Sequence, residues 1–273
     1  MLNKNIFICW FQGEKHLNTH PKANIFNENI KNWQLLNPTW KLQLVSNKEL
    51  RNACRQFSSE CLNLYDSFDL LHLKIDLGRY VLLYLYGGIY VDMDMYILRG
   101  LETSSVITKL IKISYKKHIL GLSSLNLDLY ESILFMGKTK ILNNAMMIST
   151  SSHPLLCLMI KTIINTSKKN NNKKDNQSSF SIIQHTTGPI FINKFFEKFE
   201  SSANFLIHIF PHYIFEPSPP YGDSNIQEQT IAIHKMEMSW VHPYFKHFIT
   251  FYYKIKPYIL LIISTLYYIT KLR

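Results

Sequence analysis

Cysteine is scarce in this chain. Its four residues, Cys9, Cys54, Cys61 and Cys157, show no CxxC spacing, which excludes a zinc ribbon or a disulfide scaffold as the organising element. Nine glycines and ten prolines in 273 residues are too few for a collagen-like or proline-rich chain. Acid is scarce as well: 19 Asp and Glu stand against 30 Lys and Arg, a formal charge of +11. Such a balance favours an anionic partner, whether nucleic acid, membrane surface or phosphorylated substrate. No uncharged apolar run reaches the roughly 20 residues that a bilayer-spanning helix needs. What the chain does have is apolar content, 47% hydrophobic and 14% aromatic. That excludes a disordered or fibrous protein, and the length suits one large domain, or one domain with an appendage.

The positive charge is uneven. Part of it sits at Lys168-Lys169 and Lys173-Lys174, inside an Asn-rich stretch from Asn165 to Ser179 that is expected to be a flexible insertion. Another part lies at Lys246, Lys254, Lys256, Lys271 and Arg273. Neither cluster interleaves aromatic residues as a single-strand platform would, so no nucleic-acid partner is expected. Within the basic tail, Tyr258–Ile269 is uncharged and flanked by lysines. This pattern suits an interfacial helix that touches a membrane. At the other end, Asn5–Phe11 is too short for a signal-peptide core and reads as a buried first strand. The expected location is therefore the cytoplasm or the cytosolic face of a membrane. The expected domains are residues 1–245, catalytic, and 246–273, a membrane-associating tail.

Along the chain, a loop over Gln12–Ala23 precedes a helix over Ile25–Leu36, which Asn37-Pro38 ends. Trp40–Val45 alternates as a strand and Asn47–Phe57 reads as a helix. This β-α-β-α rhythm argues for an α/β domain with a mostly parallel central sheet. Leu70–Leu85 is apolar at helical spacing and Gly87-Gly88 stops it. On that helix Asp76 and Arg79 share a face. The spacing then predicts a strand over Ile89–Met95, with Tyr90, Asp92 and Asp94 on one side. Two carboxylates at the end of a buried strand are costly unless paired, and a hard divalent cation such as Mg²⁺ or Mn²⁺ pairs with them best. Further on come Asn143-Asn144, where a helix cap is the plain alternative to a site role, then His153-Pro154 with a helix over Leu155–Ile164. Thr186–Pro189 is a turn, and Ile231–His234 a strand ending in a histidine.

The stretch LKIDLGRYVLLYLYGGIYVDMDMYIL, residues 73–98, resembles the DxD sugar-binding region of glycosyltransferase family 32, which includes yeast initiating mannosyltransferases and inositol-phosphoceramide mannosyltransferases. The same core is similar to that of the clostridial glucosylating toxins. IFICWFQG, NNAMMISTSSHP, TTGP and AIHKMEMSW resemble further family segments in the same order. Where the family often has two histidines, this chain has His234-Lys235.

The resemblance implies a GT-A fold, a nucleotide-sugar donor (a UDP- or GDP-hexose), Mn²⁺ or Mg²⁺, and transfer with retention to a glycan, lipid or protein acceptor. By the same resemblance, Trp10 stacks near the base, and Asp76 and Arg79 hold the sugar hydroxyls and the diphosphate side. Tyr90 and Asp92 contact ribose, sugar or the metal's water shell, Asp94 binds metal, and His234 is a metal or diphosphate ligand. Asn144 contacts donor or acceptor, and Ser239-Trp240 closes over the β-phosphate. Two alternatives stand beside this expectation. One is a non-enzymatic nucleotide- or glycan-binding module derived from such an enzyme. The other is an aspartate-nucleophile phosphatase built on Asp92.

Overall fold

The computed structural model describes residues 1–126, 140–170, 178–217 and 226–235, with 251, 255 and 258 as isolated positions. In chain order the strands are β1 (Asn5–Cys9), β2 (Lys41–Val45), β3 (Gly88–Val91), β4 (Met95–Ile97), β5 (His118–Asn126), β6 (Lys140–Ser149), β7 (Phe205–Ile209) and β8 (Ala232–His234). The helices are α1 (Glu14–Thr19), α2 (Ala23–Leu36), α3 (Asn47–Phe57), α4 (Ser59–Ser67), α5 (Leu71–Tyr86), α6 (Ser105–Ile113), α7 (Pro154–Asn170), α8 (Ser179–Thr186), α9 (Pro189–Phe196) and α10 (His212–Phe215).

The architecture is α/β, as expected, around a six-stranded sheet in the order β2-β1-β3-β6-β5-β7. β1 runs parallel to β2 and to β3, and β5 runs parallel to β7, whereas β6 is antiparallel to both of its neighbours. The sheet is therefore mixed. Its left half is the parallel βαβ unit that the sequence rhythm indicates; its right half is entered through a β5–β6 pairing that the rhythm did not show.

Strand periodicity divides the interior. Phe7, Cys9, Tyr90 and Met147 face a core built with α3, α4, α5 and α7, while Ile6, Ile8, Ile89, Val91 and Ile148 face a second core that includes Trp33 of α2, Phe210 and Phe215. Both faces are covered, so the strands read as apolar runs instead of alternating ones. Each Ile or Leu removed fully from water there contributes about 1.5–3 kcal/mol.

Local chemistry explains the elements nearest the site. Ser46 and Glu49 form a capping box at the start of α3, whose buried face is Leu50, Ala53 and Cys54. α5 is buried from Leu77 to Leu83 and ends at Gly87, whose N–H donates to the Leu83 carbonyl. Gly87 and Gly88 adopt φ of 62° and 118°. A Cβ on Gly88 would lie 2.5 Å from the Asn5 carbonyl oxygen, so only glycine lets β3 leave the helix alongside β1.

Four expectations change. The strand over Ile89–Met95 ends at Val91: Asp92 N–H donates to the Ala145 carbonyl and Met95 N–H to the Asp92 carbonyl, a turn that carries the chain from the large sheet into β4. Asn143 and Asn144 cap no helix but lie inside β6. Part of the expected loop over Gln12–Ala23 is the short helix α1. Asn165–Asn170 continues α7 as helix, and Ser179 begins α8; the rest of the expected insertion, 171–177, lies outside the described residues. The tail helix over Tyr258–Ile269 falls outside the described residues apart from position 258. Among the described residues, no helix is long and apolar enough to cross a membrane.

Candidate functional site

Two small strands build the site. β4 pairs antiparallel with β8, with His234 opposite Met95, the residue after Asp94. Lys235 N–H donates to the Asp94 carbonyl and fixes this register. Asp92 and Asp94, on the turn between β3 and β4, are thus brought to His234 from 140 positions further along the chain. One ligand atom from each of the three lies within 4.8 Å of the others. The His234 Nε2 stands 3.4 Å from Asp94 Oδ1. All three side chains keep some exposure, 27% for Asp92, 16% for Asp94 and 11% for His234, so the cluster faces an opening instead of being sealed.

Behind Asp92 lies a buried polar network centred on Arg79. Its Nη2 is 3.1 Å from Asp76 Oδ1 and 3.1 Å from Asp92 Oδ1, and its Nη1 donates to the Asn144 carbonyl at 2.6 Å. The guanidinium carbon lies 4.4 Å from the centre of the Tyr90 ring, a cation–π placement. Tyr90 in turn donates its hydroxyl to Asp92 Oδ1 at 2.9 Å. Asp76 accepts from Asn144 Nδ2 at 3.0 Å and from the Thr187 hydroxyl at 2.8 Å. Tyr80 donates to the Thr187 carbonyl and accepts from Asn144 Nδ2. The TTGP segment therefore packs its second threonine directly against Asp76.

A bulge places Asn144. Pairing between β5 and β6 slips between Leu122, opposite Met147, and Ser123, opposite Asn143, which leaves Asn144, Ala145 and Met146 without partners on β5. There the Asn144 side chain reaches Asp76 and Tyr80 and the Ala145 carbonyl accepts from the Asp92 N–H, a known use of bulges beside functional sites.

Burial pushes the Asp92 carboxyl up to about 6; Arg79 opposes this shift and Asp94 adds to it. Burial likewise raises Asp76, against the pull of Arg79, Thr187 and Asn144. For His234 burial acts against the charged form, yet Glu216 and Asp94 outweigh it and hold the ring well above the usual histidine range.

Glu216 is the site residue that the sequence reading missed. It follows α10, its side chain has no exposure, and its Oε2 is 2.8 Å from His234 Nδ1. Its Oε1 accepts from Asn143 Nδ2 at 2.7 Å and from the Ser123 hydroxyl at 3.4 Å. Trp10 directly follows β1. It belongs to a ring cluster with His16, His20 and Phe26, the last two at 5.1 and 5.4 Å between centroids. Ser239 and Trp240 lie outside the described residues.

The donor set suits a divalent cation. Glu216 accepts from His234 Nδ1, and Nε2 faces Asp94 Oδ1 at 3.4 Å, where a cation would replace the second ring hydrogen. A proton or a cation must lie between them. Asp76 and Asp92 share the guanidinium of Arg79 while Asp94 and Glu216 flank His234, and two carboxylate oxygens with one imidazole leave coordination positions open for a second ligand.

Fold and site together define an α/β domain with a cluster of Asp92, Asp94 and His234 that could hold a metal ion, at the carboxyl end of its strands, where open α/β sheets bind their ligands. Residues 24–112 match the family described as glycosyltransferase sugar-binding region containing DXD motif. That stretch contains Asp76, Arg79, Asp92 and Asp94. An uncharacterized glycosyltransferase of Acanthamoeba polyphaga mimivirus is 32% identical over 96 residues, which make up 35% of this chain and 36% of that protein. The alignment thus spans little more than a third of either. Among solved structures, PaToxG glycosyltransferase is 12% identical, with a TM-score of 0.44 over 72% of this chain and 69% of that one. The UDP-bound glycosyltransferase domain from the YGT toxin is 10% identical, with a TM-score of 0.39 over 72% and 77%. A glycosyltransferase involved in the glycosylation of the major capsid of PBCV-1 is 12% identical, with a TM-score of 0.36 over 77% and 82%. Likenesses at that level carry no argument about activity.

Proposed function

We propose that the protein is a metal-dependent glycosyltransferase of GT-A type, moving a hexose from a UDP- or GDP-sugar to a glycan, lipid or protein acceptor with retention of configuration. The observation that carries this reading is the convergence of Asp92, Asp94 and His234 within 4.8 Å on the DxD turn and the returning strand β8. Asp94 and His234 hold the cation directly, and Asp92 holds it directly or through water. Mn²⁺ or Mg²⁺ is the ion this oxygen-rich set favours. When bound, the cation supplies Lewis-acid stabilisation of the charge that develops on the leaving diphosphate.

The remaining residues bind and orient. Arg79, with its terminal nitrogens engaged by Asp76, Asp92 and Asn144, acts by fixing Asp92. Tyr90 does the same through its hydroxyl. Asp76 and Asn144 form the floor on which the donor sugar rests, and Trp10 offers its ring to the nucleotide base. Ser239-Trp240 closes the donor side and excludes water, which favours transfer over hydrolysis. The basic, apolar tail brings the domain to a membrane where the acceptor is displayed. The aspartate-nucleophile alternative fits less well, because Asp92 Oδ1 already accepts from Tyr90 and faces the Arg79 guanidinium.

The test is nucleotide release by the purified full chain from a panel of UDP- and GDP-sugars, with and without Mn²⁺, beside Asp94→Ala. Release from one donor that requires Mn²⁺ and is absent in the variant is the expected result. No release from any donor, with no Mn²⁺-dependent thermal stabilisation by UDP or GDP, refutes the proposal.

A further inference from the structure

We infer that Glu216 is a positioning residue that decides which nitrogen of His234 faces the cation, and that it does so at the end of a relay of fixed hydrogen-bond polarities. This rests on the cation site proposed above. The relay starts at a group whose role is not open to choice: the backbone N–H of Asn144 donates to Asn143 Oδ1 at 2.8 Å. A backbone amide can only donate, so the facing atom of Asn143 is its oxygen and the other is its NH₂. That NH₂ points at Glu216 Oε1, 2.7 Å away, which must accept. The second carboxylate oxygen, Oε2, faces His234 Nδ1 at 2.8 Å and also can only accept. Nδ1 therefore keeps its hydrogen, and Nε2, which faces Asp94, is the nitrogen whose lone pair is left for a cation. Hydrogen bonds of this kind set ring orientation and raise ligand basicity at metal sites.

The arrangement is isolated from water. Glu216, Asn143 and Ser123 are 2%, 6% and 0% exposed, so the relay is closed to bulk water. The relay also explains why a polar pair interrupts the middle of β6. Asn143 transmits polarity from the backbone to Glu216, and Asn144, displaced by the bulge, serves Asp76 and Arg79.

Glu216→Gln tests this with almost no change in volume. The Asn143 NH₂ requires the side-chain oxygen of the introduced glutamine, which leaves the glutamine NH₂ facing Nδ1; the ring hydrogen then moves to Nε2 and blocks it. Mn²⁺ affinity of the full chain, measured by calorimetry without any donor, should fall by about 10–100-fold. Electron spin echo modulation from a directly bound imidazole nitrogen should disappear. The double variant Glu216→Gln/Asn143→Asp restores the polarity with the same total charge as the wild type. The introduced aspartate accepts from both the Asn144 N–H and the glutamine NH₂, which frees the glutamine oxygen for Nδ1. Affinity and nitrogen modulation should then return, an outcome that a purely structural role for Glu216 does not produce.

Undiminished affinity in Glu216→Gln, or no Mn²⁺ binding by the wild type, overturns the inference. So does a folded double variant, judged by its thermal midpoint, that binds no better than the single one. Glu216-dependent Mn²⁺ binding without turnover of any nucleotide-sugar would uphold the relay and refute the transferase. Mn²⁺-dependent turnover that is indifferent to Glu216 would do the reverse.

Discussion

Arg79→Lys and Arg51→Lys make the sharpest pair of perturbations, because bond geometry and burial give opposite answers about them. Arg51 meets Asp66 through two well-aligned bonds of 2.8 and 2.7 Å. Arg79 meets Asp76 and Asp92 at 3.1 Å each. Distance alone would rank the Arg51 pair as stronger. Arg51 is solvated, however, and an exposed pair loses most of its Coulomb gain to water and side-chain entropy. Arg79 is 5% exposed, and it lies between two carboxylates and the Asn144 carbonyl. Among the described residues it is the one Lys or Arg paired with that buried cluster. Lysine is a point charge on a shorter stem and cannot span three acceptors at once.

Breaking a buried pair costs about 3–5 kcal/mol. Retention of one charge by lysine reduces this to about 2–3 kcal/mol. With roughly 2–4 °C of Tm per kcal/mol for a domain of this size, Arg79→Lys should melt about 5–10 °C below the wild type in calorimetric scans at pH 7.5. Arg51→Lys should melt with the wild type. Arg79→Met should fall further than Arg79→Lys and also weaken Mn²⁺ binding, since Asp92, already raised to about 6 by burial, loses the partner that keeps it ionised. Equal shifts in the two lysine variants, or a larger one at Arg51, would refute the claim that burial governs the strength of these pairs.

Two further outcomes follow from the fold. Gly88→Ala must place a Cβ at φ 118°, 2.5 Å from the Asn5 carbonyl oxygen; a loss of about 3 kcal/mol should appear in urea titration, with Mn²⁺ affinity falling because β3 leads directly into Asp92. No loss on either measure would show that β3 does not need the glycine. His153 is fully buried and burial lowers its pKa to about 3, so it stays neutral in the folded chain while the unfolded chain takes a proton below about 6.5. The folded pKa is the lower one. Stability is therefore complete above about pH 6.5 and is lost as pH falls from there toward 3, by about 2 kcal/mol at pH 5. His153→Asn, which can still accept from the Leu155 N–H, should flatten that slope; denaturation curves at pH 7.5, 6 and 5 that run parallel for both proteins would refute the assignment.

The parts of the site written in one contiguous stretch were legible in the sequence. From Leu73 to Met95, a helix with Asp76 and Arg79 one turn apart, a glycine pair and two spaced aspartates carry their own geometry, because helical and strand periods fix which side chains share a face. Even there one inference fails. Period two does not extend through Asp94, because the chain turns after Asp92 to join β8. Pairing of Met95 with His234, far along the chain, decides that turn, and local spacing does not record it.

The right half of the sheet was unreadable for a different reason. β6 is buried at every position from Ile141 to Ser149, so it shows no alternation, and its Asn pair looks like a turn or a cap when only local chemistry is weighed. Glu216 was the deeper miss, and it left a signal. In a chain with 19 acids against 30 bases, a lone glutamate sits between Phe215 and Pro217 at the end of an apolar run. A carboxylate in such a place is tolerated only where donors are aimed at it. The donors come from Asn143 and His234, 73 and 18 positions away, so sequence alone could not name them. It could have named the question. An acid with apolar neighbours on both sides must have partners elsewhere in the chain, and the polar residues stranded inside another apolar stretch are the first to examine. Here those were Asn143 and Asn144.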